Sequence, residues 1–142
     1  MATPIKSISI QEVRDIAHHL AAKTMEWDEP IPQFESRFPG VLESCIVQPF
    51  QHFDKRLLYH GLIGKAAILF YLLIKNHPFQ NGNKRIAVTT LLVFLSINGK
   101  WLNVDTTKLY LFAIWIAQSD AELKTEVVKV IERFITKNIV AY

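Results

Sequence analysis

An all-α fold is what this sequence predicts, and three observations carry that reading. Gly61 to Ile74 and Ile86 to Ile97 are apolar on nearly every side of a helical wheel and too long for ordinary strands. That is the mark of helices buried all round. Capping signals stand at Ser9-x-x-Glu12, at Asp105 or Thr106, and at Ser119-x-x-Glu122, each ahead of apolar residues at helical spacing. No convincing hairpin occurs in the sequence. At 142 residues the chain (1–142) is expected to form a single-domain helical bundle, long enough to bury a proper core.

Taken in order, the Ser9 box opens a helix expected to run to about Met25, with Ile10, Val13, Ile16, Ala17 and Leu20 on one apolar face. His18 and His19 are adjacent, so they point away from each other around the helix and cannot act as a helical metal pair. They read as solvated or partly packed. Glu29-Pro30-Ile31-Pro32 breaks the helix and begins a long loop. Val41 to Val47 is a short helix ended by Pro49, and Gln48 to Leu58 is irregular, with Phe50, Phe53 and the pair Lys55-Arg56. Gly61 to Asn76 and Asn83 to Asn98 are the two buried helices, the second stopped by Gly99. A further helix over Lys108 to Gln118 turns Leu109, Phe112, Trp115 and Ile116 to the core. The Ser119 box opens a last one to about Asn138, with Val127, Val130, Ile131 and Phe134 inward.

Composition narrows the function. Half the residues are hydrophobic and a fifth charged, the profile of a folded globular chain. Net charge is +3, and like charges cluster no further than Lys55-Arg56 and Lys84-Arg85. A nucleic-acid face usually shows a longer basic stripe, so nucleic acid is not an expected partner. The single Cys45 excludes an internal disulfide, reads as a small core residue, and suits a reducing cytoplasm. Met1 to Ser9 lacks the apolar run of a signal peptide, and Ile86 to Gly99 falls short of the ~20 residues that cross a bilayer. The expectation is a cytoplasmic protein with no membrane role.

Between the two apolar helices lies a polar loop, His77-Pro78-Phe79-Gln80-Asn81-Gly82-Asn83-Lys84-Arg85. Pro78 and Gly82 punctuate it, and Asn83 stands where an N-cap belongs. Lys84 and Arg85 then fall in the first helical turn, at the positive end of the dipole, where each cation costs about 0.3–1 kcal/mol. An anion held by the free amides of Gly82 to Arg85 reverses that sign. The stretch reads as a phosphate-binding loop with a histidine at its lip. His77 is then either a general base or a cap on the preceding helix. Phe79 turns inward and anchors the loop, and Gly82 lets the backbone approach phosphate. Asn83 caps the helix, orients a phosphate, or does both. Arg85 can make a paired contact with phosphate oxygens and Lys84 a point-charge contact; the alternative for both is an exposed cationic pair.

The loop resembles the signature of the Fic/Doc family, His-Pro-Phe-x-Asp/Glu-Gly-Asn-Gly/Lys-Arg. Lys84 places the resemblance nearer the Doc (death on curing) branch than the Fic adenylyltransferases. It extends to Gly40-Val41-Leu42-Glu43-Ser44, to Leu72-Leu73-Ile74-Lys75-Asn76, and to Leu92-Val93-Phe94-Leu95 with Asn98-Gly99, about Phe38 to Gln118 in all.

The resemblance implies transfer from ATP, with Mg²⁺, to a hydroxyl of a protein substrate, with His77 as the base. A glycine at position 84 would leave an anion pocket for AMP transfer (AMPylation). The lysine there, with Val88 in place of a second arginine, implies a reversed ATP and transfer of the γ-phosphoryl group. The target is then plausibly part of the translation machinery. Position 81 departs from the pattern: Asn81 keeps an oxygen for the metal and loses the charge, so it would hold Mg²⁺ only weakly. This leaves a third reading, a nucleotide- or partner-binding module with weakened catalysis. The family flap over Gln48 to Leu58 would hold the target segment beside the site. No Ser/Thr-x-x-x-Glu-Gly/Asn inhibitory helix is present, so restraint is expected from an antitoxin protein in a toxin–antitoxin pair.

Overall fold

The computed structural model describes residues 4–26 and 30–142. Six helices make up the domain: α1 (consecutive segments Ile10–Glu12, Val13–Ala17 and His18–Lys23), α2 (Val41–Val47), α3 (Gly61–Lys75), α4 (Asn83–Ile97), α5 (Thr106–Gln118) and α6 (Lys124–Asn138). The all-α expectation holds. Two small antiparallel hairpins are added, β1 (His52–Phe53) with β2 (Arg56–Leu57), and β3 (Lys100–Leu102) with β4 (Ile139–Ala141).

The centre is the pair α3–α4, flanked by α6 against α3, α5 against both, and α1 against α4. Gly64 to Ile74 of α3 are buried without a break, as are Arg85 to Leu95 of α4. Phe70, Phe79 and Phe94 are the largest fully buried rings. Burial on every face explains why neither helix shows a polar stripe in the sequence.

The Ser9 box forms as expected: Ser9 Oγ accepts from the Glu12 amide at 3.0 Å, and Glu12 Oε1 accepts from the Ser9 amide at 2.9 Å. Helix α1 nevertheless stops at Lys23, short of Met25, and Val13–Ala17 is wound as a π-helix. That widened turn rotates the inward face to Val13, Ala17 and Ala21, leaving Ile16 and Leu20 more than 40 % exposed (43 % and 41 %). Part of the expected break at Glu29 to Pro32 lies outside the described residues. Pro49 sits inside a 3₁₀ turn, Gln48–Phe50, rather than ending the chain's helical course.

Gly99, at φ 75°, stops α4. Asp105 is the cap of α5, accepting from the Thr107 amide at 2.8 Å. On α5, Leu109 and Ile116 are buried as expected, but Trp115 is 46 % exposed, stacked on the flank of Phe112. The Ser119 box does not form. Ser119 closes α5, donating from Oγ to the Ile116 carbonyl, and Asp120 accepts from the Glu122 amide, starting a 3₁₀ turn (Ala121–Leu123) before α6. Val127 and Ile131 face inward with Val128 and Ile135, while Val130 and Phe134 are half-buried. The β3–β4 pairing was not expected. Three-residue strands carry no readable period, and these lie at opposite ends of the last third of the chain. Among the described residues no helix is long and apolar enough to cross a membrane.

Candidate functional site

Helices α3 and α4 are joined by the loop 76–82, and its geometry starts from two left-handed residues. Asn76 caps α3, and His77 follows at φ 50°, the position where a helix usually ends on glycine. Gly82, at φ 74°, is the N-cap of α4. The expected N-cap, Asn83, is instead the first helical residue. Its Oδ1 accepts from the Phe79 amide at 2.9 Å and its Nδ2 donates to the Phe79 carbonyl at 2.8 Å. Asn83 thus closes the loop into a ring, its carboxamide held on the Phe79 backbone rather than capping the helix.

Phe79 is fully buried, as expected of an anchor. It packs against His18 and Phe34 at centroid distances of 5.7 and 5.9 Å. The His18 Nε2 lies 2.8 Å from the Pro32 carbonyl and is the donor there, since a carbonyl only accepts. The Phe38 amide donates to the Pro78 carbonyl at 2.9 Å. Two segments from the first third of the chain therefore clamp the loop. A Cβ built on Gly82 would lie 2.7 Å from Ile31 Cδ1, so the close approach at this glycine is made by Ile31.

Three cations surround the loop, and two are occupied. Lys75 Nζ donates to the carbonyls of Ala117 and Ser119 at the C-terminal end of α5. Arg85 is buried and donates from Nε to the Thr24 carbonyl at 3.1 Å and from a terminal nitrogen to the Ala21 carbonyl at 2.6 Å. Both charges sit at the negative end of a neighbouring helix, where a cation is stabilised. The Arg85 guanidinium thus serves the C-terminus of α1, and Arg85 is not among the described residues that line the loop's cavity. Lys84 is different, with no ion pair or hydrogen bond among the described residues.

A concavity of about 160 Å³ opens on this loop, lined by His77, Gln80, Asn81, Gly82, Asn83 and Lys84, with Ile74 and Ala117 as its apolar wall. His77 is exposed and half-buried Lys84 faces the same space. The first-turn amides of α4 have no intrahelical acceptor, the first helical bond being from Ile86 to Gly82. A lysine, first-turn amides and carboxamides, with no carboxylate among the described residues, form a donor set for an anion. The same set does not fit a resident divalent cation, which prefers carboxylate oxygens. Among the described residues no group of three His, Cys, Asp or Glu side chains could hold a metal. The volume is below the ~300 Å³ of ordinary small-molecule sites, room for phosphate groups but not for a whole nucleotide. Gln80 and Ala117 were missed in the sequence; Ala117 is brought in only by tertiary packing, which Lys75 secures.

The hairpin β1–β2 occupies the expected flap segment. Asp54 and Lys55, at φ 51° and 63°, form its turn, and Phe53 is 73 % exposed, so it does not cover the core. Its base is held by Phe50, which packs on Phe94 and beneath Lys65. Lys65 precedes Lys75, the last residue of α3, by ten residues, about 15 Å of helix, and the loop follows beyond that. The base of the hairpin therefore stands at the far end of α3 from the loop, rather than beside it.

The family model described as Fic/DOC matches residues 7–95, from the start of α1 almost to the end of α4. No curated protein and no solved structure matches the chain.

Proposed function

The chain belongs to the Fic/DOC family, and from that premise we propose that it is a Doc-like phosphotransferase. Fic/DOC proteins are typically ATP-using transferases that modify protein targets, generally with Mg²⁺. The observation that carries the finer reading is that His77 and Lys84 line one small concavity at the amino end of α4.

In this reading the terminal phosphate of ATP rests on the amides of Gly82 to Lys84, with the Lys84 ammonium beside it. The target hydroxyl oxygen attacks the γ-phosphorus, the bond to the bridging β–γ oxygen breaks, and ADP leaves. The hydroxyl proton passes to His77, whose imidazole is the side chain suited to proton transfer near neutral pH. Lys84 and the limited volume support entry of the terminal phosphate rather than burial of a longer polyphosphate tail. Asn83 and Phe79 hold the loop, and Arg85 holds α4 to α1. Mg²⁺, when it contributes, offsets phosphate charge and is carried by the nucleotide. Restraint by an antitoxin and a target in the translation machinery extend the same reading.

One observation favours a second reading, a nucleotide-binding module with weakened turnover: among the described residues no carboxylate lines the cavity, position 81 being Asn. Incubation of wild type and His77→Ala with a cell lysate and either α- or γ-labelled ATP separates the cases. Transfer of the γ label alone, lost in His77→Ala, is the expected result. Transfer of the α label would mean AMP transfer, and absence of both labels would leave the binding module.

A further inference from the structure

A concavity of about 610 Å³ lies away from the motif loop, between the start of α3 and the last turns of α6. Three of its lining residues, Lys129, Arg133 and Lys137, follow one another at intervals of four along α6. That spacing stacks them on one ridge, where like charges repel. None forms an ion pair within 4.0 Å among the described residues, and neither does Glu132, the one carboxylate in the lining. His60 faces the same space. It precedes α3 without a side-chain cap, and the first turn of α3 has no acidic residue. Ile63 and Gly64 give the concavity an apolar floor.

Every fixed charge but one here has the same sign, and no ion pair among the described residues answers it. We propose that this concavity is a second anion site, which takes a ligand bearing two or more linked phosphates. Lys129, Arg133 and Lys137 span about 12 Å of helix, the reach of a chain of phosphates rather than a single one. Its volume falls within the range of small-molecule sites, so a nucleoside carrying those phosphates is also accommodated, its base over Ile63. Gly64 of this site and Ile74 of the motif cavity are ten residues apart on α3, about 15 Å. The two sites are separate, and this inference stands whether or not the motif loop transfers phosphate.

The test is titration of ¹⁵N-labelled protein with inorganic tripolyphosphate, and in a second arm with ATP, at fixed ionic strength. Saturable amide shifts are expected at Gly61 to Gly64 and along 129–137, with binding at least tenfold weaker in Arg133→Ala/Lys137→Ala. Shifts at Gly82 to Lys84 should be unaltered in that variant. Tighter binding of ATP than of tripolyphosphate marks the nucleoside form of the ligand, and equal binding marks phosphate alone. These substitutions are at exposed positions, and an unchanged thermal melt confirms the fold. Linear, unsaturable shifts would overturn the proposal. So would an equal loss in Lys100→Ala, which removes an exposed cation elsewhere, or a response confined to the motif loop.

Discussion

The guanidinium of Arg85 donates to the carbonyl of Ala21, 64 positions earlier in the chain, at 2.6 Å. A residue of the first turn of α4 thereby caps the end of α1, with Thr89 donating to the Ala17 carbonyl one turn along. Hydrogen bonds from a charged donor contribute about 1.5–3 kcal/mol each. Arg85→Ala should therefore lower unfolding free energy by about 3 kcal/mol, read from urea denaturation. Arg85→Lys should recover less than half, because an ammonium cannot reproduce the fork. Unchanged stability in Arg85→Ala would return the residue to the phosphate site.

His77 carries strain that its position does not require. A side chain at φ 50° costs about 1–2 kcal/mol relative to the right-handed region, and glycine is the usual tenant after a helix cap. Strain of this kind gathers at functional sites. Replacement His77→Gly should raise stability by roughly 0.5–1 kcal/mol while abolishing label transfer. His77→Ala should abolish transfer with little change in stability. A His77→Gly protein that is both more stable and fully active would remove the imidazole from the chemistry.

How far the sequence revealed this site depends on the range of the contacts involved. The loop's polarity between two wholly apolar helices, the inward Phe79 and the turn at Gly82 were all legible, because each is set by neighbours within a few residues. Asn83 was misjudged by one position: an Asn before a helix looks like a cap, but Gly82 already supplies the left-handed turn and frees the carboxamide for Phe79. The fate of Arg85 was invisible, since its partners are backbone carbonyls and leave no residue-type signature. Ser119 lost its capping role to Asp120, one position later and nearer to the amide it serves. The basic ridge of α6 escaped notice for a similar reason, its cations being spaced four apart rather than adjacent.

Gly82 is held by backbone conformation more than by space. An added Cβ would crowd the end of the Ile31 side chain, which can rotate away, and would stand at ordinary contact distance, 3.6 Å, from Ile31 Cα and the Pro30 carbonyl, whereas φ 74° disfavours any other residue. Gly82→Ala should cost about 1–2 kcal/mol. Trimming the contacting methyl with Ile31→Val should restore less than about 0.5 kcal/mol of it in a double-mutant cycle. Larger recovery would mean that crowding, not conformation, governs the position.

Cys45 is fully buried, and burial pushes its thiol up to about 11 despite a hydrogen bond from Asn76. In the unfolded chain the thiol ionises near its ordinary value of 9.0, so between there and 11 only the unfolded state loses the proton. Stability should fall as pH rises through that window, by on the order of 2 kcal/mol at its upper end. Burial raises Tyr71 in the same direction, so the measurement is a difference: urea midpoints at pH 8 and 10.5 should separate more in wild type than in Cys45→Ala. Equal separation would show that the thiol does not drive the loss.

Position 81 decides whether the cavity can retain a metal. Asn81 offers an amide oxygen beside Lys84, and no carboxylate among the described residues lines the space, so in this reading a divalent cation depends on ligands the nucleotide brings. Asn81→Asp adds one anionic ligand at the loop, where Lys84 and the first-turn amides of α4 offset its charge. The cation's apparent affinity in the presence of ATP should tighten about tenfold, and transfer of the γ label should rise at sub-millimolar Mg²⁺. Stability should change by less than about 0.5 kcal/mol, since position 81 is only half-buried and its side chain makes no hydrogen bond among the described residues. A gain from no detectable transfer to steady turnover would favour the weakened binding module for the natural chain. A gain limited to low Mg²⁺ would mark a working enzyme that relies on its substrate to carry the metal. No change at any Mg²⁺ concentration would mean that position 81 does not face the phosphates, and the placement of ATP in this cavity would fail with it.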